Sequence, residues 1–307
     1  MSKLRIIAPI HFFYDDPMNR LPDEIKLEDA LSLRRKDDRL NELIAIIVNS
    51  FQNIYAKYEI DELKNCRFYA AYEFDSSVED SDKAQKKIHH IIESLRVVRP
   101  TRAASSTFLF SLDHNGNLSP ESASQKTNTI FLIYGEPPGS SHFQAGEEKK
   151  IQRYYYCVSE LFAKYQSSYN RVLNAFNFFQ LGYLTQYAKL RVVPFTVALE
   201  SLFNTSESEV GYSLRMRCAA FLDQGITEKE SMIQKIKTIY ELRSAAVHGA
   251  SLPRRVLSNP LSANEIIRDA EDITRRSLHK IFDEDLVDIF SQPNEKLSKY
   301  LDEFLIR

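Results

Sequence analysis

Apolar residues recur along this chain with two different periods, and the change of period divides it. In the first 140 residues, LRIIAPIHFF (4–13), CRFYAAYEFD (66–75), STFLFSLDHNGN (106–117) and TNTIFLIYGEPP (127–138) are short runs rich in Ile, Phe and Tyr. They predict strands, the last two closed by turn residues. Between them the spacing changes. Over residues 37–60 the apolar positions Leu40, Ile44, Ile47, Phe51, Ile54 and Tyr58 follow steps of four and three, one face of a helix. Residues 81–98 form a second helical pattern with Ile88, Ile91, Ile92 and Leu95 inward. Strands interleaved with two helices predict a small mixed α+β domain over residues 1–140.

GEPPGSSHFQAGEE (135–148) has the Pro, Gly and Ser density of a connection. Beyond it only helical spacing is found. Val158, Phe162, Tyr165, Tyr169, Val172, Phe176 and Phe179 make one long aromatic-rich seam, read as core packing rather than a cofactor box. In RVVPFTVALESLFNTSESE (191–209), Pro194 suits a first helical turn and Asn204, Thr205 and Ser206 supply a stop. GYSLRMRCAAFLD (211–223), TEKESMIQKIKTIYELRSAAVHG (227–249) and SANEIIRDAEDITRRSLHKIF (262–282) follow as helices, with Thr227 and Glu230 fitting a capping box. Residues 141–307 therefore predict an α-helical bundle.

Composition narrows the function. With 43% apolar and 27% charged residues the chain reads as an ordinary globular protein. No apolar run is long enough to span a bilayer, and Pro9 and His11 interrupt the N-terminal patch where a signal peptide would need continuity, so a cytoplasmic protein is expected. Cys66, Cys157 and Cys218 are far apart and predict reduced thiols. A net charge of −2 argues against indiscriminate coating of phosphates, so any nucleic-acid contact has to be local. The neighbours His89 and His90 lack a third ligand at metal spacing, the turn around His114 lacks the rest of a calcium loop, and no glycine-rich phosphate loop exists. No cofactor is expected.

The chemistry concentrates in YELRSAAVHGASLP (240–253). Ile233, Ile236, Tyr240 and Val247 form an apolar stripe, and Arg243 interrupts it. An unpaired buried guanidinium is costly, so either a carboxylate answers it or an incoming anion does. Ser244 and His248 share the adjoining face. Gly249 is a natural helix terminator, which puts His248 in the last turn, where the helix end favours a protonated imidazole. Arginine with histidine suits RNA cleavage through the RNA's own 2′-hydroxyl: the guanidinium neutralises the phosphorane while the imidazole moves a proton. Side chains five apart on a helix diverge by about 140°, which favours two copies sharing one groove across a two-fold axis. Arg5 and His11 form a looser pair in a strand-like stretch and are assigned no role.

The spacing alone is unspecific, since 21 arginines and seven histidines yield such a pair by chance in roughly every second chain of this composition. The ordered blocks PFTVALESLF, SLRMRCAAFL and IYELRSAAVHG are more specific. Over about residues 151–280 they resemble the Apea-like branch of the HEPN superfamily, helical bundles bearing an Arg, four to six residues, His motif. The resemblance implies a homodimer acting on RNA, with metal-independent endoribonuclease activity in phage defence or toxin-like growth arrest. It places the motif on Arg243 and His248. Where many active members carry Asn, Asp or His after the arginine, this chain has Ser244, able to orient a phosphate or water.

Around the motif, Glu200 sits among apolar neighbours and is expected to meet a cation, Arg243, Arg215 or Arg217, either as a structural ion pair or to orient the catalytic arginine. Arg215 and Arg217 are two apart, so at most one faces the groove. Arg254 and Arg255, beyond Pro253, read as loop residues that contact RNA phosphate or simply face solvent. The alternative to a nuclease is a noncatalytic HEPN-type dimer that binds RNA or acts as a scaffold, with Arg243 answered by Glu200 and His248 only capping its helix. The sequence names no regulatory partner.

Overall fold

The computed structural model describes residues 3–11, 13–51, 57–75, 81–101, 103–111, 125–129, 142–165, 170–185, 187–205, 210–222, 225–249, 251–252, 254–259 and 262–306. An α+β part is followed by a helical bundle, and the chain clusters into two compact units, Met1–Phe131 with Ser140–Ser159, and Leu132–Gly139 with Glu160–Arg307.

In the first unit, β1 (Lys3–His11) lies between β4 (Phe68–Asp75) and β5 (Ala104–Ser111) in a six-stranded sheet ordered β2-β3-β4-β1-β5-β6, every neighbouring pair antiparallel. Ile6, Ala8 and Ile10 alternate with Ile7 to opposite faces and all four are buried, so the central strand is covered on both sides. The periodicity did not reveal β2 (Glu24–Lys26) and β3 (Leu31–Arg35), because three and five residues are too few to show an alternation. β6 spans Gln125–Thr129. The remainder of the strand expected at 127–138 and the His114 turn lie outside the described residues.

The pattern expected as one helix over 37–60 is described as α1 (Asp38–Phe51) and α2 (Lys57–Asn65), with Ile54 outside the described residues. Asp37 opens α1 by accepting the Leu40 N–H at 2.7 Å. The two helices bury Leu40, Ile44, Ile47 and Leu63 against Ile7 and Tyr69. α3 runs Ser81–Val98, as expected, with Ile88, Ile91, Ile92 and Leu95 buried. Among this unit's ion pairs, one has a buried carboxylate. Asp15 is 3% exposed and receives both Nη atoms of Arg35, whose Nε also donates to Asp23 at 2.8 Å and whose guanidinium lies 4.6 Å from the Phe68 ring centroid.

The long aromatic seam is described as α4 (Glu148–Tyr165), of which residues 148–159 belong to the first unit, and α5 (Arg171–Leu184) in the second. Asn170 begins α5, its Oδ1 accepting the N–H groups of Val172 and Leu173. Tyr169, expected in the seam, lies outside the described residues. α6 (Val192–Phe203) buries Val192, Phe195, Ala198, Leu199, Leu202 and Phe203, and packs against α5, α7 (Val210–Leu222), α8 (Ile226–His248) and α10 (Ser262–Asp283). A helix apolar nearly all round has to sit at the centre. Gly182 lets α5 approach it: a Cβ there would stand 2.4 Å from the Phe195 ring. Short α9 (Arg254–Ser258) and α11 (Val287–Phe290) and terminal α12 (Asn294–Ile306) complete the bundle. Phe203, Phe221 and Phe290 pack ring to ring, joining α6, α7 and α11.

Two outcomes follow for stability. Arg35→Ala leaves the buried Asp15 carboxylate unanswered and is expected to cost about 3 kcal/mol in urea denaturation. Burial pushes the Asp15 carboxyl up, but the Arg35 guanidinium outweighs it and holds the group below its ordinary 3.8. Because the folded value is depressed, the pair's contribution is full above the unfolded value, about 4, and is lost as pH falls through the folded one. Asp15→Asn should flatten that acid limb. Gly182→Ala should lower stability by about 1–3 kcal/mol, read from the same curves, because the Phe195 ring is already packed near Phe179 and Tyr183.

Candidate functional site

The site is built at the C-terminal half of α8. The helix starts one residue before the expected capping box: Gly225 is the N-cap, no side chain caps the helix there, and the Gly225 carbonyl takes the first turn's Lys229 N–H at 3.0 Å. Its buried row is Met232, Ile236, Ile239 and Leu242. This is turned from the expected stripe, since Ile233 and Tyr240 are half-buried and Val247 is 46% exposed. Arg243 therefore borders the apolar row rather than interrupting it. The other end matches expectation: Gly249 adopts φ 67°, ψ 23° and donates its N–H to the Ala245 carbonyl, leaving His248 as an exposed last helical residue.

The expected divergence of Arg243 and His248 is corrected. Arg243 Nη1 lies 3.4 Å from His248 Nε2 within one chain. The long guanidinium arm follows the helix surface, and an imidazole at the helix end is free of a following turn. At 3.4 Å the approach is close contact more than a strong hydrogen bond, and it is donor to acceptor only when Nε2 carries no proton.

Beneath this pair, Tyr240 donates its hydroxyl to Glu200 Oε1 at 2.7 Å, tying α8 to α6. The ion pair expected for Glu200 is not formed: among the described residues no arginine nitrogen comes within 4.0 Å of its carboxylate, and a phenol takes the place of the cation. Burial first, then the Glu200 carboxylate, pushes the Tyr240 hydroxyl far above the usual phenol range, while Arg243 and Arg215 pull the other way. On α7 the positions Gly211 and Arg215 are one turn apart, and Gly211 faces the Tyr240 ring, its would-be Cβ 3.8 Å away.

Arg215 and Arg243 share a further feature: the Nε of each is buried without a hydrogen-bond partner. A buried unanswered N–H costs about 1–3 kcal/mol, and these two stand on the packed helices α7 and α8. Arg217 faces away, as the two-residue spacing requires. It donates to Asp302 Oδ1 at 2.9 Å, Thr205 Oγ1 at 2.6 Å and Ser298 Oγ at 2.6 Å, fastening α7 to α12, so its expected substrate role is replaced by a structural one.

Ser244 is half-buried beside Arg243 on α8. Arg254 and Arg255 open α9 and so are helical rather than loop residues; Arg254 is exposed. In the first unit, His90 is pushed down to about 4 by burial and by His89, and its Nδ1 lies 3.3 Å from Ser159 Oγ. Among the described residues no group of three or more His, Cys, Asp or Glu side chains is placed to hold a metal ion, and no helix is long and apolar enough to cross a membrane. The Tyr240–Glu200 bond escaped the periodicity, which reads tyrosine as apolar. Its one signal was a carboxylate inside ALESLF one helix away.

Compared with family models, with curated proteins and with solved structures, the chain has no significant match.

The division of labour between the two α7 arginines is testable. Arg217→Ala should lower stability by about 2–3 kcal/mol in thermal or urea unfolding, since it strips charged hydrogen bonds from α12. Arg215→Ala, which breaks no such bond, should leave stability unchanged or slightly raised. Gly249→Ala should cost about 1 kcal/mol from the left-handed backbone alone, no neighbour lying within 4 Å of the new Cβ.

Proposed function

We propose that this chain is a metal-independent endoribonuclease of the Apea-like HEPN type, serving phage defence or a toxin-like system and cleaving RNA by attack of the 2′-hydroxyl on the adjacent phosphodiester. The observation that carries the reading is the approach of Arg243 Nη1 to His248 Nε2, 3.4 Å, at the exposed end of a helix. Arg215 adds a second guanidinium from α7.

In this mechanism Arg243 and Arg215 bind the scissile phosphate and neutralise the charge that builds on its non-bridging oxygens in the transition state. His248 moves the proton. Removing the proton from the 2′-oxygen and returning one to the departing 5′-oxygen are two tasks on opposite sides of an in-line phosphorus, and one imidazole does not stand on both sides at once. A homodimer supplies the second histidine. The dimer thus rests on this requirement and on the resemblance, and no longer on divergence of the two side chains. Ser244 orients the phosphate or a water, Tyr240 and Glu200 hold the arginines' surroundings in place, and Arg254 and Arg255 lie next along the chain to follow the RNA backbone.

The noncatalytic alternative expects Arg243 to be answered by Glu200. Glu200 is instead occupied by the Tyr240 hydroxyl, which favours the enzyme. Incubating the purified chain with total RNA in EDTA should give fragments ending in 2′,3′-cyclic phosphate, detected by ligation-based end mapping. Arg243→Ala and His248→Ala should each reduce the rate by at least about 100-fold while the oligomeric state by light scattering is unchanged. Cleavage that survives both substitutions, or that needs a divalent cation, removes the proposal.

A further inference from the structure

A cavity of about 740 Å³ opens between the start of α5, the C-terminal half of α6 and the segment joining α11 to α12. That is within the usual range for small-molecule sites. Its wall is unusual for a bundle surface in being built largely of amide, hydroxyl and carboxylate groups, among them Asn174, Glu200, Ser201 and Gln292, with the half-buried ring of Phe178 beside them.

The groups that could hold an anion are already engaged. Arg171 donates to the carbonyls of Ser201 at 2.8 Å and Asn204 at 2.6 Å, closing the C-terminal end of α6, and to Asn294 Oδ1. Asn170 caps α5 and donates to Ser291 Oγ at 2.7 Å. Acceptors are left over. Glu200 Oε1 takes the Tyr240 hydroxyl, whereas Oε2 accepts nothing among the described residues. Gln292 gives its Nε2 to the Asp288 carbonyl, and its Oε1 likewise accepts nothing there. With one carboxylate and one guanidinium in the wall, the cavity balances in charge and favours a neutral ligand that donates hydrogen bonds and has a flat face.

We infer that this cavity is a nucleobase subsite selective for bases bearing an exocyclic amino group, adenine, cytosine or guanine, over uracil. The ligand class rests on the nuclease reading above. An amino group gives its protons to Glu200 Oε2 and Gln292 Oε1 while the ring lies against Phe178, the mode by which unstacked RNA bases are read. Uracil flanks its single N–H with two carbonyl oxygens, and these would face acceptors. Because the other oxygen of Glu200 holds Tyr240, one turn before Arg243 on α8, a base held here selects which phosphodiester reaches Arg243 and His248.

The test is a shift titration by NMR of the full chain carrying His248→Ala, with AMP, CMP, GMP and UMP as probes. The amino-bearing nucleotides should bind about tenfold tighter than UMP, the worth of one charge-assisted hydrogen bond. Adding Glu200→Gln should remove that preference, and so should Gln292→Leu in part, a substitution at an exposed position that does not touch the bundle core. Tyr240→Phe, which frees Oε1 and leaves Oε2, should retain it. Equal binding of all four nucleotides, no saturable binding, or stronger binding of spermidine than of any nucleotide overturns the inference. Base preference in a chain that never cuts RNA sinks the nuclease reading alone; RNA cleavage with no base preference sinks the subsite alone.

Discussion

The helical unit depends on one constraint, the burial of α6. A twelve-residue helix with Val192, Phe195, Leu199, Leu202 and Phe203 all hidden gives water only the half-buried row Val193, Val197, Glu200 and Ser201, and four helices pack against it. At about 25 cal/mol per Å² of apolar surface removed from water, several fully buried Leu and Phe side chains outweigh any single polar contact in the unit. The central position then dictates what its one carboxylate can do. Glu200 emerges from the apolar helix at the seam with α8, half-buried, and must find a donor there.

That donor is Tyr240, and the choice has electrical consequences. A direct ion pair would cancel a guanidinium; a phenol satisfies one carboxylate oxygen and leaves the arginines their charge. Arg215 and Arg243 keep buried Nε groups that nothing in the described chain answers. Folded proteins retain few such groups, because each costs about 1–3 kcal/mol. With two on the packed helices α7 and α8, and an exposed imidazole at the end of α8, the helical unit has kept positive charge and unspent donors, an arrangement suited to an anion.

Much of the architecture was legible from spacing. The limits of α3 and the termini of α6 followed from period and end residues, as did the left-handed Gly249 after His248, because helix periodicity and glycine's backbone freedom act locally. The misreadings share a cause. The seam from Val158 to Phe179 keeps its rhythm past Asn170, so the cap and not the apolar pattern sets where α5 starts. The α8 stripe was turned because tyrosine and valine were counted as inward, whereas packing on α6, α7 and α10 selects Met232, Ile236, Ile239 and Leu242.

From its residues alone the chain determined an α+β part followed by a bundle, the placing of His248 in the last turn of its helix, and the opposite facing of Arg215 and Arg217. These depend on sequence neighbours a few residues apart. Only the tertiary structure decided which partner each charge received: Asp302 for Arg217, a tyrosine hydroxyl for Glu200, and an imidazole for Arg243. Partners 40 or 85 residues away meet because helices pack. Local pattern carries no record of which side chains that packing will bring within about 3 Å of one another.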